Sequence, residues 1–159
     1  MNVLAKETGD LLHKQGLSLG MVESATGGLI SHLITNIPGS SDYFKGGITA
    51  YSNQTKINIV GVRAETIAQY GAVSSETAAE MARGGRDRLQ ADICLSDTGI
   101  AGPGGETTGK PVGLFFIGLA YKSGTETRKH VFSGSREENK QTAAASVLNW
   151  LKEYLLDLE

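Results

Sequence analysis

ADICLSDTGIAGPGGETTGKPVGLFFIGLA, residues 91–120, is the stretch on which the fold turns. Gly104, Gly109 and Lys110 match the G-x-x-x-x-G-K of a triphosphate-binding loop, but Pro111 stands where that loop has Ser or Thr. A triphosphate loop follows a strand and opens a helix, whose first N–H groups and hydroxyl hold phosphate and magnesium. Here ADICLSDTG (91–99) reads as a buried strand, yet Pro111 offers neither N–H nor hydroxyl, and Val112–Phe116 is strand-like. The stretch is therefore strand, glycine loop, strand, and a working Walker loop is excluded. Two readings of the loop stay open. One is a plain surface connection. The other, which we favour, is a ligand-binding loop: glycines at 99, 102, 104, 105, 109 and 113 exceed what a turn needs. They let backbone N–H groups approach a ligand, and Thr98 ends its strand where open α/β sheets bind ligands.

Downstream, GLFFIGLAYKS (113–123) and TETRKHVFS (125–133) read as two strands joined by a hairpin turn at Ser123-Gly124. A capping box, Ser135-Arg136-Glu137-Glu138, opens a last helix whose apolar face carries Ala144, Val147, Leu148, Leu151, Tyr154, Leu155 and Leu158. Upstream, residues 2–15 have helical spacing with Gly16 as the stop, and 17–23 form a short strand. LISHLITN (29–36) is helical, GGITAYS (46–52) is a strand ending near Tyr51, and a short helix runs through Lys56. Helices over 63–70 and 75–90 follow, the second capped at Ser74. The pattern predicts one α/β domain over residues 1–159, a mixed sheet packed with helices in three layers, α/β/α.

A net charge of -2 gives no electrostatic case for nucleic acid or a membrane surface, so an anionic ligand must be held by local donors. The single cysteine, Cys94, lies in an apolar run and reads as a buried, reduced thiol. His13, His32 and His130 are scattered without metal-ligand spacing, so no metal site is expected. No apolar run reaches membrane-spanning length, and the start is amphipathic rather than a leader, which makes the cytoplasm the expected location.

The second candidate stretch is Glu23-Ser24-Ala25-Thr26-Gly27-Gly28, between a strand end and a helix start. Ser24 or Thr26 can simply cap that helix. Alternatively Ser24 is a nucleophile at the positive end of the helix dipole, with backbone N–H groups as an oxyanion hole. Gly27 and Gly28 then clear the approach of a substrate. The stretch is not G-x-S-x-G, which excludes an α/β-hydrolase elbow. No histidine stands in a triad context, so the available base is a lysine kept neutral by burial. Lys56 and Tyr51, in YSNQTK (51–56), can face one pocket, although Ser52 to Lys56 is S-x-x-x-K and not S-x-x-K. Against this stand a solvated Lys56 and a half-buried core Tyr51.

Three co-linear stretches, ESATGG, AYSNQTKINIVGV and SDTGIAGPGGETTGKPVG, resemble the CinA C-terminal-domain family over essentially the whole chain. The resemblance implies a nicotinamide-nucleotide amidase that converts nicotinamide mononucleotide to nicotinate mononucleotide and ammonia. It implies a serine mechanism without metal or cofactor, a stand-alone form, a homodimer, and a part in pyridine-nucleotide recycling. Ser24 matches the family's nucleophile, and Tyr51 and Lys56 the residues that activate it. Thr26, Gly27 and Gly28 match its glycine turn, while Thr98, Gly99, Ile100, Ala101, Gly102, Gly104 and Gly105 match its substrate-binding loop. The family usually has cysteine where this chain has Ala25. A nucleotide-binding or regulatory module of the same fold, with little or no turnover, is the alternative.

Overall fold

The computed structural model describes residues 1–159. Helix α1 (Asn2–Gln15) leads through Gly16, left-handed at φ 66°, to β1 (Leu19–Glu23), α2 (Leu29–Thr35) and β2 (Phe44–Thr49). A short α3 (Asn53–Thr55) runs into a single π turn (Lys56–Val60), followed by α4 (Ala64–Tyr70), α5 (Ser75–Leu89) and β3 (Ile93–Gly99). The hairpin of β4 (Leu114–Tyr121) and β5 (Gly124–Val131) precedes α6 (Arg136–Asp157), which carries the expected capping box at Ser135.

The five strands form one mixed sheet in the order β2-β1-β3-β4-β5. β1 is parallel to both β2 and β3, whereas β4 and β5 continue antiparallel. Alternation along the strands builds the three layers. Leu19, Met21, Ile93 and Leu95 pack with Leu12, Ile30, Leu148 and Leu151 on the α1, α2, α6 face. Val22 and Cys94 point the other way and meet Met81 and Val60. Cys94 is fully buried, and burial pushes its thiol up.

The chain leaves β1 to one side for β2 and returns to the other side for β3, which makes the gap between the β1 and β3 carboxyl ends a topological switch point. Close helix packing supports that end. A Cβ on Gly84 of α5 would lie 2.0 Å from the Val60 carbonyl oxygen, and one on Gly85 2.2 Å from Val22 Cγ2. α5 thus lies directly against the π turn that begins at Lys56. Gly84→Ala is expected to cost about 1–3 kcal/mol in urea denaturation by overpacking, and to displace that turn.

Three sequence expectations shift. β2 ends at Thr49 rather than near Tyr51: the Ala50 N–H still donates to Glu23 O, but the Ala50 and Tyr51 carbonyls turn to the Lys56 amine. The β4–β5 turn is Lys122-Ser123, because Gly124 already pairs with Tyr121. Leu158 lies past the end of α6 and is 51% exposed, so it is not part of the buried face.

Candidate active site

A cleft of about 290 Å³ opens at the carboxyl ends of the three parallel strands, near the small end of the usual range for small-molecule sites. β1 delivers Ser24 to it, the segment after β2 delivers Tyr51 and Lys56, and β3 delivers the glycine loop from Thr98. Among the residues that the sequence reading named, Ser24, Tyr51, Lys56, Thr98, Gly99, Ile100, Ala101, Gly102, Gly104 and Gly105 all line this cleft.

Lys56 is 2% exposed and Ser24 7% exposed, so the solvated reading of Lys56 fails. The Lys56 amine lies 2.9 Å from Ser24 Oγ, 2.9 Å from Ala50 O and 3.1 Å from Tyr51 O. All three partners are neutral oxygens. Burial without a bonded counter-charge holds its pKa below the ordinary 10.5, only partly opposed by the charge of Asp97. A neutral amine has two N–H groups and one lone pair. With its two hydrogens on the Ala50 and Tyr51 carbonyls, its lone pair is left for the Ser24 hydroxyl proton. Lys56 opens the π turn, a backbone feature concentrated at functional sites.

The serine turn is held by two buried carboxylates. Glu23, 1% exposed, accepts from the N–H groups of Gly28, Ile30 and Ser31 and from the Ser31 hydroxyl, and its Oε2 lies 2.7 Å from the Thr26 hydroxyl. Glu23 therefore caps α2, not Ser24 or Thr26, and it compensates the positive end of the helix that the sequence reading had assigned to Ser24. Asp97, with no exposed surface, accepts from the Ser24 and Thr26 N–H groups at 3.2 Å each and contacts the Thr26 hydroxyl. Full burial pushes its carboxyl up to about 6, with the charge of Glu23 adding to the effect and the Thr26 hydroxyl opposing it.

The oxyanion expectation narrows accordingly. Ser24 and Thr26 give their amides to Asp97, Gly27 donates to Ser24 O and Gly28 to Glu23, which leaves Ala25 as the turn amide without a partner. The Ala25 side chain packs with Ala101, Phe115 and Ala143, so a small residue fits there. Thr26, Gly27 and Gly28 do not line the cleft, contrary to expectation. The Thr26 hydroxyl is buried between Glu23 and Asp97, and the two glycines, at φ 65° and 103°, turn the chain into α2.

The glycine loop closes at its base through Ile100 N to Leu114 O and Gly113 N to Ile100 O, and a Thr107–Lys110 bridge forms its tip. The amides of Ala101, Gly102, Gly104 and Gly105 have no partner within the chain. Gly102 and Gly105 have φ of 94° and 97°, a backbone that glycine adopts without a side-chain clash. The Thr98 hydroxyl donates to Ala72 O and so fixes the wall of the cleft. Lys110 donates to Tyr70 O and does not line the cleft. The Tyr51 ring is 62% exposed rather than half-buried, and its hydroxyl accepts from Arg136 at 3.2 Å. It does not stand between Lys56 and Ser24, so a relay through it is unnecessary.

Arg136, which also donates to Gly102 O, is the cation at the cleft mouth that the sequence reading missed. Asn139 ties α6 to the loop through Ala101 O. Neither had a local signal: both sit in the first turns of a helix that reaches the site only in the folded chain. Asn53, Ala72 and Val73 complete the missed lining. No group of three or more His, Cys, Asp or Glu side chains is placed to hold a metal ion. No helix is long and apolar enough to cross a membrane.

Comparison with known proteins places this geometry among relatives. A family model described as the CinA C-terminal domain matches residues 1–155. A Halothermothrix orenii protein whose name refers to competence-damage induction is 55% identical over 96% of this chain, and a CinA-like protein of Chloroherpeton thalassium is 47% identical over 96%. The matched region is 37% of each of these two relatives, so the chain spans little more than a third of their length. Among solved structures, a competence damage-inducible protein A of Klebsiella pneumoniae superposes with a TM-score of 0.96 at 30% identity, covering 99% of this chain and 98% of its own. The competence/damage inducible protein of Agrobacterium tumefaciens gives 0.92 at 35% identity, covering 94% and 92%.

Proposed function

The chain belongs to the CinA C-terminal-domain family, and from that premise we propose that it is a serine amidase that converts nicotinamide mononucleotide to nicotinate mononucleotide and ammonia. The observation that carries this reading is the buried Lys56 amine 2.9 Å from Ser24 Oγ, with its other partners two backbone carbonyls. Lys56 takes the hydroxyl proton as Ser24 Oγ bonds to the carboxamide carbon, whose carbonyl oxygen becomes an oxyanion at the Ala25 amide. The Lys56 ammonium then protonates the departing nitrogen, the C–N bond breaks, and ammonia leaves. Water attacks the acyl-enzyme with Lys56 again accepting a proton, and the ester bond to Ser24 breaks as that proton returns to Oγ.

The phosphate end of the substrate is assigned to the unpartnered amides of the glycine loop and to Arg136, a local cradle that needs neither magnesium nor a helix start. Pro111 is then no defect. The same reading includes a cytoplasmic homodimer, which light scattering would read as twice the chain mass of 16.8 kDa. The deciding assay is ammonia release from nicotinamide mononucleotide by purified protein in the presence of a chelator. Turnover that survives metal removal is expected. Turnover that vanishes with the chelator would overturn the serine–lysine scheme, and binding without product would favour the nucleotide-binding module instead.

A further inference from the structure

Asp97 is the fully buried acid that the reaction scheme leaves unused. Its bonds go to the Ser24 and Thr26 amides, the two that flank Ala25 in the turn. The Thr26 hydroxyl lies against both Asp97 Oδ1 and Glu23 Oε2, yet it carries one proton and can donate to only one of them. Glu23 is already held by three backbone amides and the Ser31 hydroxyl, whereas Asp97 has two amide bonds of 3.2 Å. Asp97 is thus the less secured member of a buried acid pair. The charged groups facing it are Glu23 from β1 and Lys56 from the π turn, while β4 opposes it with apolar Ile117.

We infer that Asp97 is a positioning residue for the Ser24–Lys56 pair: it clamps the backbone on both sides of Ala25, so that the serine hydroxyl is presented to the lysine and the Ala25 amide is kept free for the oxyanion. The clamp also puts a negative charge near Lys56, which opposes the effect of burial on the amine. The kinetic part of this role rests on the amidase reading, but the electrostatic part does not.

The test is Asp97→Asn, an isostere that removes the charge and one acceptor. Turnover of nicotinamide mononucleotide is expected to fall about 10²-fold, the size of effect that misplacing a reacting group produces, with KM little changed. In parallel, the Lys56 Cε signal is titrated by NMR, assigned against Lys56→Met. Its midpoint is expected to move to lower pH in Asp97→Asn, since the neighbouring charge that raised it is gone. A merely structural aspartate would lower the melting temperature and leave that midpoint in place. An unmoved midpoint with turnover retained overturns the inference. If Asp97→Asn does not fold, Thr26→Val replaces it: Asp97 loses its hydroxyl contact and holds the turn by two amides alone, so kcat should fall with KM little changed, and a retained kcat overturns the inference. A wild-type protein with no turnover whose Lys56 midpoint still falls in Asp97→Asn would sink the substrate assignment and leave the electrostatic role of Asp97 standing.

Discussion

Ser24→Ala is expected to abolish ammonia release while the protein still folds and binds nicotinamide mononucleotide. The hydroxyl has Lys56 as its one side-chain partner, and the turn is held through backbone amides by Asp97, so deleting Oγ removes the reacting atom and little of the architecture. Loss of the nucleophile of a serine hydrolase costs on the order of 10⁶ in kcat. Steady-state assay gives the rate, and calorimetric titration the affinity, which should change little because the glycine-loop amides and Arg136 are untouched. Normal turnover in this variant would remove the nucleophile assignment and turn attention to water as the attacking group.

Lys56→Met should also cut turnover steeply, though by less than loss of the nucleophile. The methionine keeps the apolar stem but has no lone pair of sufficient basicity, and general-base contributions run to about 10²–10⁴-fold. A second signature separates this variant from a packing defect. Between the depressed pKa of folded Lys56 and the ordinary 10.5, the unfolded chain binds more protons than the folded one, so stability rises with pH across that window. Lys56→Met lacks the group and should lose that rise. Urea denaturation of both proteins over the alkaline range checks it, and an unchanged slope would show that Lys56 is not held neutral by the fold.

Much of the frame was legible before any coordinates. Pro111 and the apolar run after it ruled out a helix behind the glycine loop, and Ser74, Ser135 and Gly16 marked helix ends through local chemistry that does not depend on tertiary context. The hairpin turn slipped by one residue because Ser123-Gly124 has turn chemistry, while cross-strand pairing of Tyr121 with Gly124 sets the register. Ser24, Tyr51 and Lys56 could be named as a set, but not how they meet. The π turn has no periodicity to read over five residues, and Tyr51 looked like a core aromatic because nothing local ties its hydroxyl to Arg136 85 positions away. Glu23 and Asp97 were hidden for a different reason. An acid inside an apolar strand looks like an interruption until the amides that it accepts, from residues up to 73 positions distant, are brought to it.

The charge state of one amine decides the mechanism. Titration of the Lys56 Cε resonance in the wild-type protein is the most direct measurement, because it needs no assumption about substrate. The midpoint is predicted to lie below 10.5 and to coincide with the acid limb of kcat/KM, the limb on which the base must lose its proton. A midpoint at or above that ordinary value, with ammonia release already at full rate well below it, would show a charged lysine beside Ser24 and contradict the account.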